Sequence, residues 1–218
     1  MGPSQAVVFD LDGTLLDTLE DLCNAVNRVL RKHGFPLHPL DAYRYFVGDG
    51  VRVLFERALP GPHRDEATLR TCITEFREDY AVHWNVATRP YGGIPELLGT
   101  LAARGVPMAV LSNKPHDTTV KCVAGLLGGW TFHPVFGQRE GVPKKPHPAG
   151  ALEIARTLGL QPERFLYVGD TGTDMMTAAA AGMKPVGALW GFRPELELRE
   201  HGASVCIAAP ADLLSLLD

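Results

Sequence analysis

The chain has no apolar run long enough to span a bilayer, and its N-terminus has no basic region followed by an apolar core. A membrane helix and a secretory leader are therefore not expected, and Ala6 makes Met1-Gly2 a poor myristoylation signal. It also has no stripe of one charge. Its 21 Lys and Arg are interspersed with 25 Asp and Glu, for a net charge of −4, so neither nucleic acid nor an anionic membrane surface is an expected partner. Cys-x-x-Cys spacing is missing. The four cysteines (Cys23, Cys72, Cys122 and Cys206) are far apart, each in an apolar-periodic segment, and so are expected to be reduced and packed in a cytoplasmic protein. There is no Gly-x-Gly-x-x-Gly for a dinucleotide, no His-Glu-x-x-His for zinc, no repeat and no low-complexity tract. At 218 residues with 45% hydrophobic content, the chain is long enough for one folded domain or two small ones. A small-molecule partner is expected.

What is present begins with Ala6-Val7-Val8-Phe9-Asp10-Leu11-Asp12-Gly13-Thr14. Four apolar residues, two of them β-branched, read as a buried parallel strand. Charge arrives only where that strand stops: Asp10 and Asp12 are two apart, and Gly13 permits a sharp turn just beyond them. The C-terminal edge of a twisted parallel sheet is where ligands bind, because loops and helix N-termini gather there.

After this strand, Thr18-x-x-Asp21 reads as a helix start, with Leu19, Leu22, Val26 and Val29 at helical spacing until Gly34. Further helical patterns cover Leu40 to Phe46, Val51 to Ala58 and Leu69 to Tyr80, punctuated by Pro36, Pro39, Pro60-Gly61-Pro62 and Arg89-Pro90. Residues 16–88 are thus expected to form a helical cap inserted in a core of residues 1–15 and 89–218. From Pro95 the rhythm becomes helix, strand, helix, strand. Helices are expected at 95–104, 116–127, 149–158, 173–181 and 211–217, with strands at 106–112, 134–136, 165–169, 185–189 and 205–208. The fold class is α/β: a doubly wound, Rossmann-like parallel sheet with the first strand central.

In that arrangement the unusual polar residues all follow strand C-termini: Asp10 and Asp12, Ser112 and Asn113, Lys144 and Lys145, Asp170 and Asp174. These groups suit phosphoryl transfer through an aspartate. A carboxylate attacking phosphorus splits one slow hydrolysis into two easier displacements, and Asp10 is the expected nucleophile. Carboxylate and phosphate repel by about 4 kcal/mol per pair of unit charges at about 4 Å and an effective dielectric near 20, so the site needs cations. Hard oxygens from Asp10, Asp170 and the Asp12 backbone carbonyl suit Mg2+. Lys145, fixed by Pro146 beside it, supplies the second positive charge. The Ser112 hydroxyl and Asn113 backbone N–H would bind phosphoryl oxygens, and Asp12 would move the proton. His116 and His147 read as helix-start or loop residues, and Trp84, Trp130 and Trp190 as packing residues.

Asp10-Leu-Asp12-Gly-Thr14, Ser112-Asn113, Lys145-Pro146-His147-Pro148 and Gly169-Asp170-Thr171-x-x-Asp174 together resemble, in order, the four motifs of the haloacid dehalogenase-like hydrolases. The resemblance implies a Rossmann-like core, a helical cap, Mg2+ and phosphate monoester hydrolysis, with Thr14 touching substrate and Asp174 in support. Asp12 argues against the dehalogenating branch, which needs no leaving-group acid. Within the superfamily, Val47-Gly48-Asp49-Gly50-Val51-Arg52 and Thr88-Arg89-Pro90-Tyr91 resemble phosphoglycolate phosphatases. Gly48 and Gly50 would let backbone approach a small substrate, and Arg52 would pair with its carboxylate. Asp49 departs from this scheme, being an acid in a loop meant for a polyanion. Alternatives remain: a sugar-phosphate phosphatase, a phosphomutase or a pyrophosphatase, and further off a phospho-aspartate signalling receiver, whose lysine would follow rather than precede the last acid pair. Either a monomer or a homodimer is compatible with the sequence.

Overall fold

The computed structural model describes residues 5–217. They divide into two compact units, one formed by the chain up to Leu16 and from Pro90 onward, the other by Asp17–Arg89. In chain order the strands are β1 (Ala6–Phe9), β2 (Leu16–Asp17), β3 (Arg89–Pro90), β4 (Met108–Pro115), β5 (Val135–Gln138), β6 (Phe165–Gly169), β7 (Lys184–Ala188) and β8 (Val205–Ile207). Helices α1 (Leu19–Lys32), α2 (Leu40–Phe46), α3 (Val51–Ala58) and α4 (Glu66–His83) belong to the second unit. The first unit carries α5 (Ile94–Ala103), α6 (His116–Leu126), α7 (Ala149–Leu158), α8 (Gly172–Ala181) and α9 (Glu195–Glu200).

The first unit is built on the expected doubly wound sheet, six parallel strands in the order β5-β4-β1-β6-β7-β8. β1 is internal because it carries no charge until its end. All four of its side chains are fully buried, and both faces of a parallel sheet must be covered. Alternation sorts them: Ala6 and Val8 join Ala109, Leu111, Phe165 and Tyr167 in one cluster, closed from above by Ile154 of α7 and Ala178 of α8. Gly150 lets α7 approach, since a Cβ there would lie 2.7 Å from a Leu111 methyl. Both helices stop at a glycine in the left-handed region, Gly159 and Gly182.

Two local readings are corrected in this unit. Residues 210–216 form a 3-10 turn, not an α-helix, with Asp212 accepting from the amides of Ala208 and Ala209. And α9 was not expected, because only Leu198 of its six residues is buried while Leu196 is exposed, leaving no apolar stripe to read.

In the second unit, α1 to α4 form a helical bundle around Leu22, Val26, Phe55, Leu69 and Phe76. Helix α1 starts where Thr18-x-x-Asp21 predicts, with Thr18 as the residue before it. Thr18 makes no side-chain cap bond, and the buried Asp21 carboxylate instead accepts from Ala87 N, Thr88 N and the Thr88 hydroxyl at 2.7–3.0 Å. A carboxylate satisfied three times over ties the beginning of this unit to its end.

Candidate active site

The turn after β1 is wound around one carbonyl: Leu11 O accepts from the amides of Leu15 and Leu16 at 3.0 and 2.9 Å. Gly13 sits at φ +90°, and a Cβ there would run into the Asp170 carboxylate. Glycine is thus required twice, for the backbone conformation and for the close approach of an acid from the end of β6. The Asp10 amide continues the ladder to Val168 O at 2.9 Å, which holds this residue to the neighbouring strand from which Asp170 comes.

Asp10, Asp170 and Asp174 gather there, each buried, with a carboxylate oxygen from each lying within 4.8 Å of the others. Lys145 Nζ stands 2.8 Å from Asp10 Oδ1 and 2.7 Å from Asp174 Oδ1. Asp174 divides its oxygens. Oδ1 meets Lys145, while Oδ2 accepts from the Thr171 amide and hydroxyl in the capping box that starts α8. Asp170 accepts from the Thr14 hydroxyl on Oδ1 and from Phe192 N on Oδ2, both at 2.8 Å, and is in no ion pair among the described residues.

Three carboxylates around one ammonium leave the cluster short of positive charge. Burial first, then Asp174, push Asp10 well above the usual carboxylate range, against the pull of Lys145. Burial and Asp174 likewise raise Asp170, to about 7, opposed by its bonds from Phe192 and Thr14. Burial disfavours the Lys145 ammonium, but Asp10 and Asp174 outweigh it and hold that group charged well above an ordinary lysine. A hard divalent cation would relieve this imbalance, and all-oxygen donors at this spacing fit one. Asp174, expected only in a supporting role, brings its side chain into this cluster with Asp10 and Asp170.

Asp12 has another partner. Lys114 Nζ lies 3.0 and 3.3 Å from its two oxygens, and the Lys114 side chain is only 5% exposed. Sequence reasoning missed this lysine because it ended the strand at Ser112. In fact β4 runs on to Pro115 through a register shift: Leu111 pairs with Phe136 but Pro115 with Gln138, so two extra residues are accommodated. A bulge of this kind re-aims side chains beside a site. Ser112 Oγ accepts from the Lys114 amide at 3.2 Å. The Asn113 side chain brackets the Lys145 backbone, its Nδ2 donating to Lys145 O at 3.1 Å and its Oδ1 accepting from Lys145 N at 2.9 Å. Ser112, Asn113, Lys144, Lys145 and His147 line one shallow opening.

Thr14, expected to touch substrate, turns its hydroxyl inward. It is fully buried and spends its hydroxyl on Asp170. Trp190, expected only to pack, donates its indole N–H to Thr14 O at 3.0 Å.

The loop from Val47 to Arg52 lies in the second unit. Gly48 and Gly50 adopt φ of +109° and +90°, so their freedom is used. Asp49 is accounted for by Arg57, whose Nη2 donates to it at 2.6 Å. Arg52 meets two carboxylates of its own unit: its guanidinium forks onto Glu66 at 3.1 and 2.7 Å and its Nε reaches Glu56 at 2.9 Å. The spacing of an arginine in a glycine loop was legible in sequence. The acids that engage it, one on the same helix and one on α4, were not.

Comparison with known proteins places this geometry. Residues 7–188 match the family model described as haloacid dehalogenase-like hydrolase. A phosphoglycolate phosphatase from Aquifex aeolicus is 33% identical over 98% of this chain and 97% of its own length. One from Pseudomonas putida is 35% identical over 97% of this chain and 78% of its own. A crystal structure of a predicted phosphoglycolate phosphatase from Haemophilus somnus superposes over the whole of both chains with a TM-score of 0.92 at 26% identity. With the family model covering the sheet from β1 to β7, and these relatives matched nearly end to end, the chain belongs to the haloacid dehalogenase-like hydrolases.

Proposed function

We propose that this hydrolase is a phosphatase that cleaves small phosphate monoesters through an aspartyl-phosphate on Asp10, with 2-phosphoglycolate as its substrate and Mg2+ as its cofactor. The observation that carries the chemistry is the buried Asp10 carboxylate, 2.8 Å from the Lys145 ammonium at the end of the central strand. The substrate rests on the names of relatives matched over nearly the full chain.

Asp10, Asp170 and Asp174 would hold the metal, which when bound supplies positive charge against the phosphoryl oxygens and the attacking carboxylate. An Asp10 oxygen attacks phosphorus as the ester P–O bond breaks, and Asp12 gives a proton to the leaving oxygen. Water then attacks the aspartyl-phosphate and returns that proton to Asp12, releasing inorganic phosphate and the free Asp10 carboxylate. Lys145, shared between Asp10 and Asp174, orients the nucleophile and offsets charge. Because the Lys114 amide occupies a lone pair of Ser112 Oγ, the hydroxyl proton is left to donate to a phosphoryl oxygen, with the Asn113 backbone N–H beside it. The Asp17–Arg89 unit, inserted after the first motif, is the segment that would select the leaving group and exclude water. The setting we favour is a reducing cytoplasm, supported by four free cysteines.

Phosphate release measured with Mg2+ on 2-phosphoglycolate, p-nitrophenyl phosphate and a hexose phosphate tests this reading. The expected kcat/KM is higher for 2-phosphoglycolate by about 100-fold or more, roughly 2.7 kcal/mol of transition-state preference. Equal values for all three esters overturn the glycolate assignment, and no release from any overturns the phosphatase.

A further inference from the structure

The segment Trp190-Gly191-Phe192 follows β7 and carries none of the four motifs, yet it is wrapped around one carboxylate of the acidic triad. Phe192 N donates to Asp170 Oδ2 at 2.8 Å, and the Trp190 indole donates to Thr14 O at 3.0 Å, while the Thr14 hydroxyl donates to Asp170 Oδ1 at 2.8 Å. Gly191 lies between these two anchors, and a Cβ on it would collide with Asp170 and come within 2.5 Å of Gly13 O. Gly13 lies against the same carboxylate, which a Cβ on it would strike.

Asp170 is thus held differently from its neighbours. Asp10 and Asp174 are both oriented by the Lys145 ammonium. Asp170 is oriented by neutral donors, one on each oxygen, with two glycine backbones close against it, so the carboxylate plane is fixed while no cation is paired with it among the described residues. A Mg2+ ligand needs this combination, because that ion tolerates little departure from octahedral geometry, whereas Ca2+ accepts looser and more variable sets. Partners outside the coordination sphere set ligand direction and through it affinity.

We propose that Trp190–Phe192 is a strap that positions Asp170 for the divalent cation, directly through the Phe192 amide and indirectly through Trp190 and Thr14, and that it thereby sets both the affinity for Mg2+ and its discrimination from Ca2+. The inference rests on the metal-dependent reading above and assigns Trp190 and Thr14 as positioning residues, not as substrate contacts.

Calorimetric titration of the full-length protein with MgCl2 and with CaCl2, without substrate, tests it. Thr14→Val keeps the shape and removes the hydroxyl, and Trp190→Phe keeps an aromatic ring and removes the N–H. Thr14→Val is expected to raise the Kd for Mg2+ by about 10- to 100-fold and Trp190→Phe by about 3- to 10-fold, with Thr14→Ser restoring the wild-type value within about twofold. The ratio of the Ca2+ to the Mg2+ Kd should fall in both weakened variants, a change that a general loss of stability does not produce. If Thr14→Val does not fold, Trp190→Phe decides alone. Wild-type Kd values in the folded variants, or a lowered Tm with both affinities intact, overturn the strap and leave the phosphatase reading in place. A wild-type protein that binds no Mg2+ at millimolar concentration overturns the metal reading and the strap with it.

Discussion

At the scale of single residues, the site separates groups that are close in sequence. Asp10 and Asp12 are two apart but face different ammonium groups, Lys145 at 2.8 Å and Lys114 at 3.0 Å. Asp10→Asn should therefore abolish phosphate release while leaving the protein folded by circular dichroism; appreciable turnover, with deamidation excluded by mass spectrometry, removes the covalent mechanism. Lys145→Met deletes the one cation between two buried carboxylates. It should cost about 3–5 kcal/mol in urea unfolding with chelator present, and Mg2+ should recover part of that loss because it supplies charge to the same cluster. Arg52 carries the opposite expectation. An exposed guanidinium already engaged by Glu66 and Glu56 has little left for substrate, so Arg52→Ala should change the KM for 2-phosphoglycolate by less than about threefold. A rise of tenfold or more in steady-state assays would return Arg52 to the substrate site.

Among elements, the bulged end of β4 and the two ends of the helical unit matter most. The register shift between Leu111 and Pro115 places Ser112, Asn113 and Lys114 consecutively beside the site, where a regular strand would alternate them. In the Asp17–Arg89 unit, Asp21→Ala leaves the amides of Ala87 and Thr88 and the Thr88 hydroxyl without their acceptor. The loss should be about 1–3 kcal/mol, read as faster hydrogen exchange at residues 87 and 88; unchanged exchange there shows that the carboxylate clamps nothing. Helices α1, α3 and α4 of this unit were readable in the sequence because each carries an apolar stripe that packs inward. Asp21 was read as a helix-start residue because its partners lie 66 and 67 positions away, beyond the reach of any local pattern.

For the whole molecule, the surplus of buried negative charge couples stability to the cation. Metal-free protein should unfold at a lower temperature than protein with Mg2+, and a concentration about 100-fold above Kd should add about 2.7 kcal/mol. Activity should disappear with EDTA and return with Mg2+. Identical melting curves in EDTA and in excess Mg2+ remove the metal from the acidic triad.

The sequence by itself determined the parallel sheet, with β1 inside it, because a strand that is apolar on both faces and charged only at its end has one stable place in an α/β layer. It also put Asp10 and Asp170 directly after β1 and β6, with Lys145 and Asp174 in the segments that follow β5 and β6, since strand C-termini in such a sheet share one edge. Pairing was decided only in three dimensions. Which acid takes which ammonium, Thr14 turning to Asp170, Trp190 reaching Thr14 and Arg52 being occupied by Glu66 all join residues distant in the chain. Local periodicity reports which face of an element is buried, whereas a hydrogen-bond partner is fixed by packing that brings the elements together.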